Sequence, residues 1–291
     1  MSDNKVSACG PCGCRPVSSV NGILPESNTN FLSMNVLYSK FKTASDNLAE
    51  HNEQRVNMNL HSGYYVLPNL LVGIEIPYST IVHESLYHGR DIIYGFSDPY
   101  LYGKYVFTFN NFIEREDQIN TLTHELILGA GIQFPFGSHT QLNSEGYAEP
   151  RMQAGYGSWG FGFHTDYMLK HNNAGMLASL QYRFFSKNSM YFKPGNSFSL
   201  KNVFFHQFFR NDLVFTPEVG FLLNVFGKDY MDEYVYENDN GFYLLNAGIS
   251  GSVYYLNKGV SIGLKYPLYQ KNDPNRLSNT INLHAAFTYL F

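Results

Sequence analysis

The stretch TINLHAAFTYLF, Thr280–Phe291, decides the fold. Ile281, Leu283, Ala285, Phe287, Tyr289 and Phe291 share one face of a strand, because successive side chains of a strand point to opposite sides. Thr280, Asn282, His284, Ala286 and Thr288 share the other, with Leu290 the one large apolar residue among them. Apolar-out, polar-in alternation closing on a terminal aromatic suits a strand between hydrocarbon and a wet lumen. One spanning strand demands others, since an open sheet edge in hydrocarbon leaves backbone groups unpaired.

Working outward, eleven further stretches carry the same period, near 31–42, 54–66, 69–82, 98–108, 120–134, 158–170, 174–186, 198–209, 213–224, 242–255 and 259–270. Each reaches the roughly 9–11 residues that a tilted spanning strand requires. Tight links fall at Leu67-Pro68, His171-Asn172-Asn173, Arg210-Asn211-Asp212 and Leu256-Asn257-Lys258, with turn-forming residues in each. Between them come longer polar links, 43–53, 83–97, 135–157, 187–197, 225–241 and 271–279. Short and long links therefore alternate, with 109–119 the one exception. The expectation is an all-β, transmembrane, antiparallel up-and-down barrel of about twelve strands over residues 31–291. Short turns and both termini would face the periplasm, and the long loops the exterior.

Composition agrees. Charged residues make up 15% of the 291, against roughly 25% in soluble domains. Aromatics reach 16%, with 23 Tyr and 24 Phe against one Trp, which suits a lipid-facing wall with aromatic girdles. Mean hydropathy is −0.24, and no apolar run reaches the roughly 18–20 residues of a spanning helix. A net charge of −4 without a basic cluster excludes a nucleic-acid footprint.

Parity assigns the faces. Leu70, Val72, Ile74, Ile76 and Tyr78 oppose Leu71, Gly73, Glu75 and Pro77, and the apolar set is expected to meet lipid. The inward set then supplies candidate lumen and selectivity residues: His61, Glu75, Asp98, Lys104, Glu125, His164, Asp166, Arg183, Glu218, Lys265 and His284. Asn57, Asn59, Tyr100 and Tyr102 join it, while FSLKNVFFHQFF (198–209) is apolar on both faces and leaves its parity open. Inward glycines such as Gly73, Gly129, Gly131 and Gly263 are expected to leave space. The lumen reads as an open solute path, with an interlocked ion-pair plug as the alternative.

Residues 1–30 read as a periplasmic segment preceding the barrel. Its start lacks the charged and apolar regions of an export leader, so a leader is expected to have been removed or replaced. Val6-Ser7-Ala8 before Cys9 fits the end of such a leader and also resembles a lipoprotein processing site. Cys9, Cys12 and Cys14 form a C-x-x-C-x-C cluster that could share Cu(I) or Zn(II). A disulfide with one thiol over, or lipid modification at Cys9, reads the same residues without a metal.

Three segments resemble a known family. GFSDPYLYGKYVF (Gly95–Phe107) resembles the glycine–aspartate–strand segment of bacterial transporter-like outer-membrane barrels grouped with the phenol-degradation meta-pathway proteins. MQAGYGSW (Met152–Trp159) resembles their PGTGSW-like entry into the next strand, with Ala154 at the usual proline position. GVSIGLKYPLYQ (Gly259–Gln270) resembles the first strand of their final hairpin. The resemblance implies barrel channels for small solutes, aromatic hydrocarbons among them.

Enzyme chemistry is not expected. His206-Gln207 lacks a following Ser, and His88 with Asp91 or His139 near Glu145 are the pairings that polar loops produce by chance. Asp229, Asp232, Glu233, Glu237 and Asp239 read as a solvated acidic loop before a Ca²⁺ site. The expected function is therefore passive diffusion of a small solute across the bacterial outer membrane. A closed barrel that binds an envelope protein is the alternative, and the lipid bilayer is the one partner common to both.

Overall fold

The computed structural model describes residues 29–42, 51–85, 89–115, 118–144, 146–236, 241–271 and 278–291. Twelve strands form one closed, antiparallel ring. They are β1 (Phe31–Lys42), β2 (His51–Leu67), β3 (Leu70–Ser85), β4 (Gly89–Phe96 continued by Tyr100–Arg115), β5 (Gln118–Gln133) and β6 (Gly160–His171). The ring continues with β7 (Ala174–Phe185), β8 (Ser197–His206 continued by Phe208–Arg210), β9 (Leu213–Phe226), β10 (Phe242–Tyr255), β11 (Lys258–Lys271) and β12 (Ser278–Leu290). Each strand pairs with its sequence neighbours, and β12 closes on β1 from Phe31↔Leu290 to Lys42↔Ser278. No strand edge is left along that closure, as hydrocarbon requires.

At the end where β1 starts and β12 finishes, the links among the described residues are two-residue turns. Asn172, Asn211 and Leu256 adopt φ of 52°, 51° and 51° there, the left-handed backbone that such hairpins need. Asn accepts this conformation readily, whereas Leu256 adopts it against its steric preference.

Two expected links turn out to be strand. Residues 83–97 were read as a loop, yet β3 and β4 pair through His83↔Asp91 to Ser85↔Gly89. The polar residues His83, Glu84, Arg90 and Asp91 at the hairpin's tip hide the period that Ile92, Tyr94 and Phe96 keep on its exposed face. Residues 109–119 were read as a long link, yet β4 and β5 stay paired out to Arg115↔Gln118. The exception to the short–long alternation disappears with it.

The outward faces carry exposed Met34, Ile74, Leu101, Leu128, Phe163, Val260, Ile262 and Phe287. A wall so apolar, around a ring whose backbone is paired strand to strand, is that of a membrane-spanning barrel. At the opposite end from the termini the long connections gather. They carry a one-turn 3-10 helix, Pro150–Met152, and a small sheet of Phe192–Lys193, Tyr230–Met231 and Tyr234–Val235.

Candidate functional site

The lumen has three storeys. At the short-turn end, Phe31, Leu71, Tyr100, Tyr102, Val214, Tyr254 and Leu290 form one buried cluster. They come from β1, β3, β4, β9, β10 and β12, and β3 and β9 stand on opposite sides of the ring. The cluster therefore bridges the lumen. Leu290, the apolar residue on the polar face of the last strand, belongs to this stopper. Beside it Met168, Leu177, Val203 and Phe205 form a second cluster from β6, β7 and β8. Val203 and Phe205 settle the parity of β8, and Lys201 shares their inward face.

The inward glycines do not leave space. A Cβ on Gly73 would lie 2.2 Å from the Tyr102 ring, one on Gly131 2.5 Å from Tyr100, and one on Gly263 2.1 Å from His284. Each glycine is the seat for a neighbour's ring, and the ring occupies the lumen instead.

Above the stopper runs a charged belt. Tyr102 hydroxyl meets His61 Nε2 at 2.5 Å, and Tyr100 hydroxyl meets His164 Nε2 at 2.6 Å. The two tyrosine rings stack 6.1 Å apart, and the Arg183 guanidinium lies 4.5 Å from the Tyr100 ring centre. Lys104 Nζ donates to Asp166 Oδ2 at 3.2 Å, and Glu75 stands 3.9 Å from His61. Glu125 on β5 is 1% exposed. On the far wall Glu218 accepts from Ser250 Oγ at 3.0 Å. A cavity of about 30 Å³, room for a water, separates Lys201, Glu218, Lys265 and His284. The sequence-predicted lumen residues thus fall into two facing groups, His61, Glu75, Lys104, His164, Asp166 and Arg183 against Glu218, Lys265 and His284.

Asp98 differs. It sits in the interruption of β4, where one extra residue moves the inward parity from Ile93 to Tyr100. Its carboxylate accepts from the backbone N–H groups of Gly137 at 2.8 Å and Tyr156 at 2.7 Å, from Gly157 at 3.2 Å, and from Gln133 Nε2 at 3.2 Å. Asp98 is a clasp for the long loop after β5, not a lumen charge. Gly137 and Gly155 touch at this point, where a Cβ on Gly155 would come within 2.7 Å of the Gly137 Cα. The segments GFSDPY and QAGYGSW, which carry two of the sequence resemblances, meet here.

The third storey is a vestibule of about 530 Å³ at the long-loop end. Phe41, Glu53, Arg55, Ile81, Arg151 and Phe192 are among its lining residues. Arg55 pairs with Glu53 and donates to the Arg151 carbonyl at 3.2 Å. Arg151 in turn pairs with Asp229 at 2.9 Å and lies 5.0 Å from the Tyr236 ring centre. Glu53 and Arg55 were not among the expected residues. Both share parity with Asn57, Asn59 and His61; Arg55 lay within the expected stretch 54–66 and was passed over, whereas Glu53 lies one residue before its start.

The remaining polar residues of the loops are tied to one another. His139 meets the Gly137 carbonyl at 2.9 Å and Ser189 Oγ at 2.9 Å, joining two loops. Asp229 and Asp232 pair with Arg151 and Lys187, the latter at 2.8 Å. Among the described residues no three His, Cys, Asp or Glu side chains gather as a metal site. Cys9, Cys12, Cys14, His88, Glu145, Glu237 and Asp239 lie outside the described residues.

No family model and no curated protein matches the chain. Solved structures do. An outer membrane channel from Pseudomonas putida F1 superposes with a TM-score of 0.64 at 10% identity, covering 95% of this chain and all (100%) of that one. Its fold is the fold of this chain. The beta domain of the Bordetella autotransporter Brka follows at 0.50 and 13% identity, over 91% of this chain and 100% of that one. At such identities the likeness concerns architecture, which a channel and a translocator domain can share.

Proposed function

We propose that the protein is a gated conduit for a small solute in the bacterial outer membrane. One observation carries the reading: a vestibule of about 530 Å³ and a charged belt lie in line within a lipid-facing barrel, with an apolar stopper, among the described residues, between them and the far side. The fold shared with an outer membrane channel supports it. The belt would set charge preference, with Glu75 and Glu125 opposing Lys104, Arg183 and Lys265. The stopper would be the gate, since side chains can swing where a packed domain cannot.

Planar-bilayer recordings test this. Wild-type protein should give small, infrequent current steps. Phe31→Ala combined with Leu290→Ala should give larger and more frequent ones, because both residues span the closure. In that opened variant, changing Glu75 and Glu125 to Gln should move the reversal potential toward anion preference. Silence from a correctly folded stopper variant would overturn the conduit reading. It would favour a closed barrel serving an envelope partner, which the filled short-turn end otherwise also suits.

A further inference from the structure

Two inward glycines seat no ring. Gly220 on β9 and Gly248 on β10 stand opposite each other in the ladder, in a row that runs Val203, Gly220, Gly248, Lys265 from β8 to β11. The atoms nearest a Cβ on Gly248 would be Lys265 Cγ at 3.0 Å and the Leu264 carbonyl at 3.2 Å. On Gly220 they would be the backbone of Asn202 and Val203. All belong to the adjoining strands. Two neighbouring side chains are therefore missing from the lumen face, and the hollow they leave is part of the cavity of about 30 Å³.

Its surround is charged. The next row on one side holds Glu218, Ser250 and His284, and the next on the other side holds Lys201 and Asn246. With Lys265, the lining carries two ammonium groups against one carboxylate. Asp166 is within electrostatic reach of Lys201 but is engaged by Lys104 at 3.2 Å. Among the described residues neither Lys201 nor Lys265 is hydrogen-bonded or ion-paired at short range. His284 is 5% exposed, and neither its Nδ1 nor its Nε2 has a hydrogen-bond partner among those residues. A buried N–H without an acceptor is costly, and so is a surplus ammonium. One negatively charged acceptor between them relieves both.

We propose that this hollow binds one small monovalent anion of halide size, held by Lys201, Lys265 and the His284 N–H. With it the charges in the lining sum to zero. A cavity of about 30 Å³ admits a sphere on the scale of a water and shuts out sulfate or phosphate. Glu218 bounds the site and repels a second anion, while Asn246 Oδ1, buried without a donor, suits either ammonium. The site does not depend on the conduit reading. In a shut barrel the anion is a structural counter-ion, and in an opened one it stands beside the path.

Crystals of the whole chain grown in sodium bromide give the direct test. An anomalous peak should stand in the hollow within hydrogen-bond distance of both Nζ atoms, and should exceed any peak at an exposed lysine such as Lys258. In detergent solution the folded protein should broaden the chloride resonance, and added bromide should remove the broadening. Gly248→Ala keeps every charge but fills the hollow, and Lys265→Met removes one ammonium. Each should weaken halide affinity at least about tenfold, the scale of a hydrogen bond to a charged group. Glu218→Gln should strengthen it about tenfold, because a like charge is gone. Lys258→Met, at the short-turn end, should change nothing. A heat-modifiable band on cold electrophoresis establishes that each variant is folded. Water in the hollow in place of bromide overturns the site. So does broadening that survives both Gly248→Ala and Lys265→Met, which would mark an adventitious ion only.

Discussion

Lys104 and Asp166 form a buried ion pair, with side chains 6% and 8% exposed. Removing one partner leaves the other buried without its counter-charge, which costs about 3–5 kcal/mol, whereas replacing both by apolar groups is near neutral. Lys104→Met should therefore shift the denaturant midpoint sharply down, and adding Asp166→Leu should restore most of the loss. Equal damage from the double variant would mean that the pair contributes more than mutual neutralisation. At this scale the sequence was informative about direction and silent about contact. Parity pointed Lys104 and Asp166 inward, but only the ring geometry brings a residue of β4 against one of β6, across the glycine-bearing β5. The glycines misled for a related reason. A missing side chain looks like space until the opposing tyrosine is seen lying in it.

Among the elements, the interrupted β4 has the widest reach. Asp98 holds the loop after β5 by three main-chain N–H groups, and Ser138, Gln141 and Ser144 add ties to β4 at the Phe96 carbonyl, Tyr94 and Asp91. Asp98→Ala should leave the barrel intact and free that loop. Protease added outside intact vesicles should then cut within 140–150 at a rate well above wild type, with the strands still protected. An unchanged cleavage rate would show that the neighbouring Arg151–Asp229 pair suffices. Strands within the apolar belt were readable to a residue or two, as with β1 and β10. The β3–β4 hairpin was not, because His83, Glu84, Arg90 and Asp91 at its tip break the period that Ile92, Tyr94 and Phe96 carry on its outer face. The stopper was half readable: Leu290 announced itself as out of place, but nothing along the chain says that Val214 meets it.

At the scale of the whole molecule, the ring depends on its last strand. A chain ending before Ser278 would leave β1 and β11 with unpaired backbone facing hydrocarbon. Such a truncation should fail to give the compact, heat-modifiable band of a folded barrel on cold electrophoresis, even with every other strand present. A folded band would show that β1 and β11 can close an eleven-stranded ring without it. The alternation of short and long links carried the architecture in the sequence, since it is imposed by the membrane's two unlike sides. The occluded lumen was not legible, because filling depends on side chains from opposite walls meeting.

The pairing of Phe31 with Leu290 has a consequence in time. The two residues lie at nearly opposite ends of the chain, so the contact that seals the cylinder has almost the greatest sequence separation available. Contacts of that kind are reached late and slowly. While it is being made, the nascent chain has two sticky margins, and either will accept a foreign strand. Biogenesis thus hinges on keeping the opening and closing segments apart from strangers until β12 has paired with β1, a burden that falls on whatever escorts the chain to its bilayer.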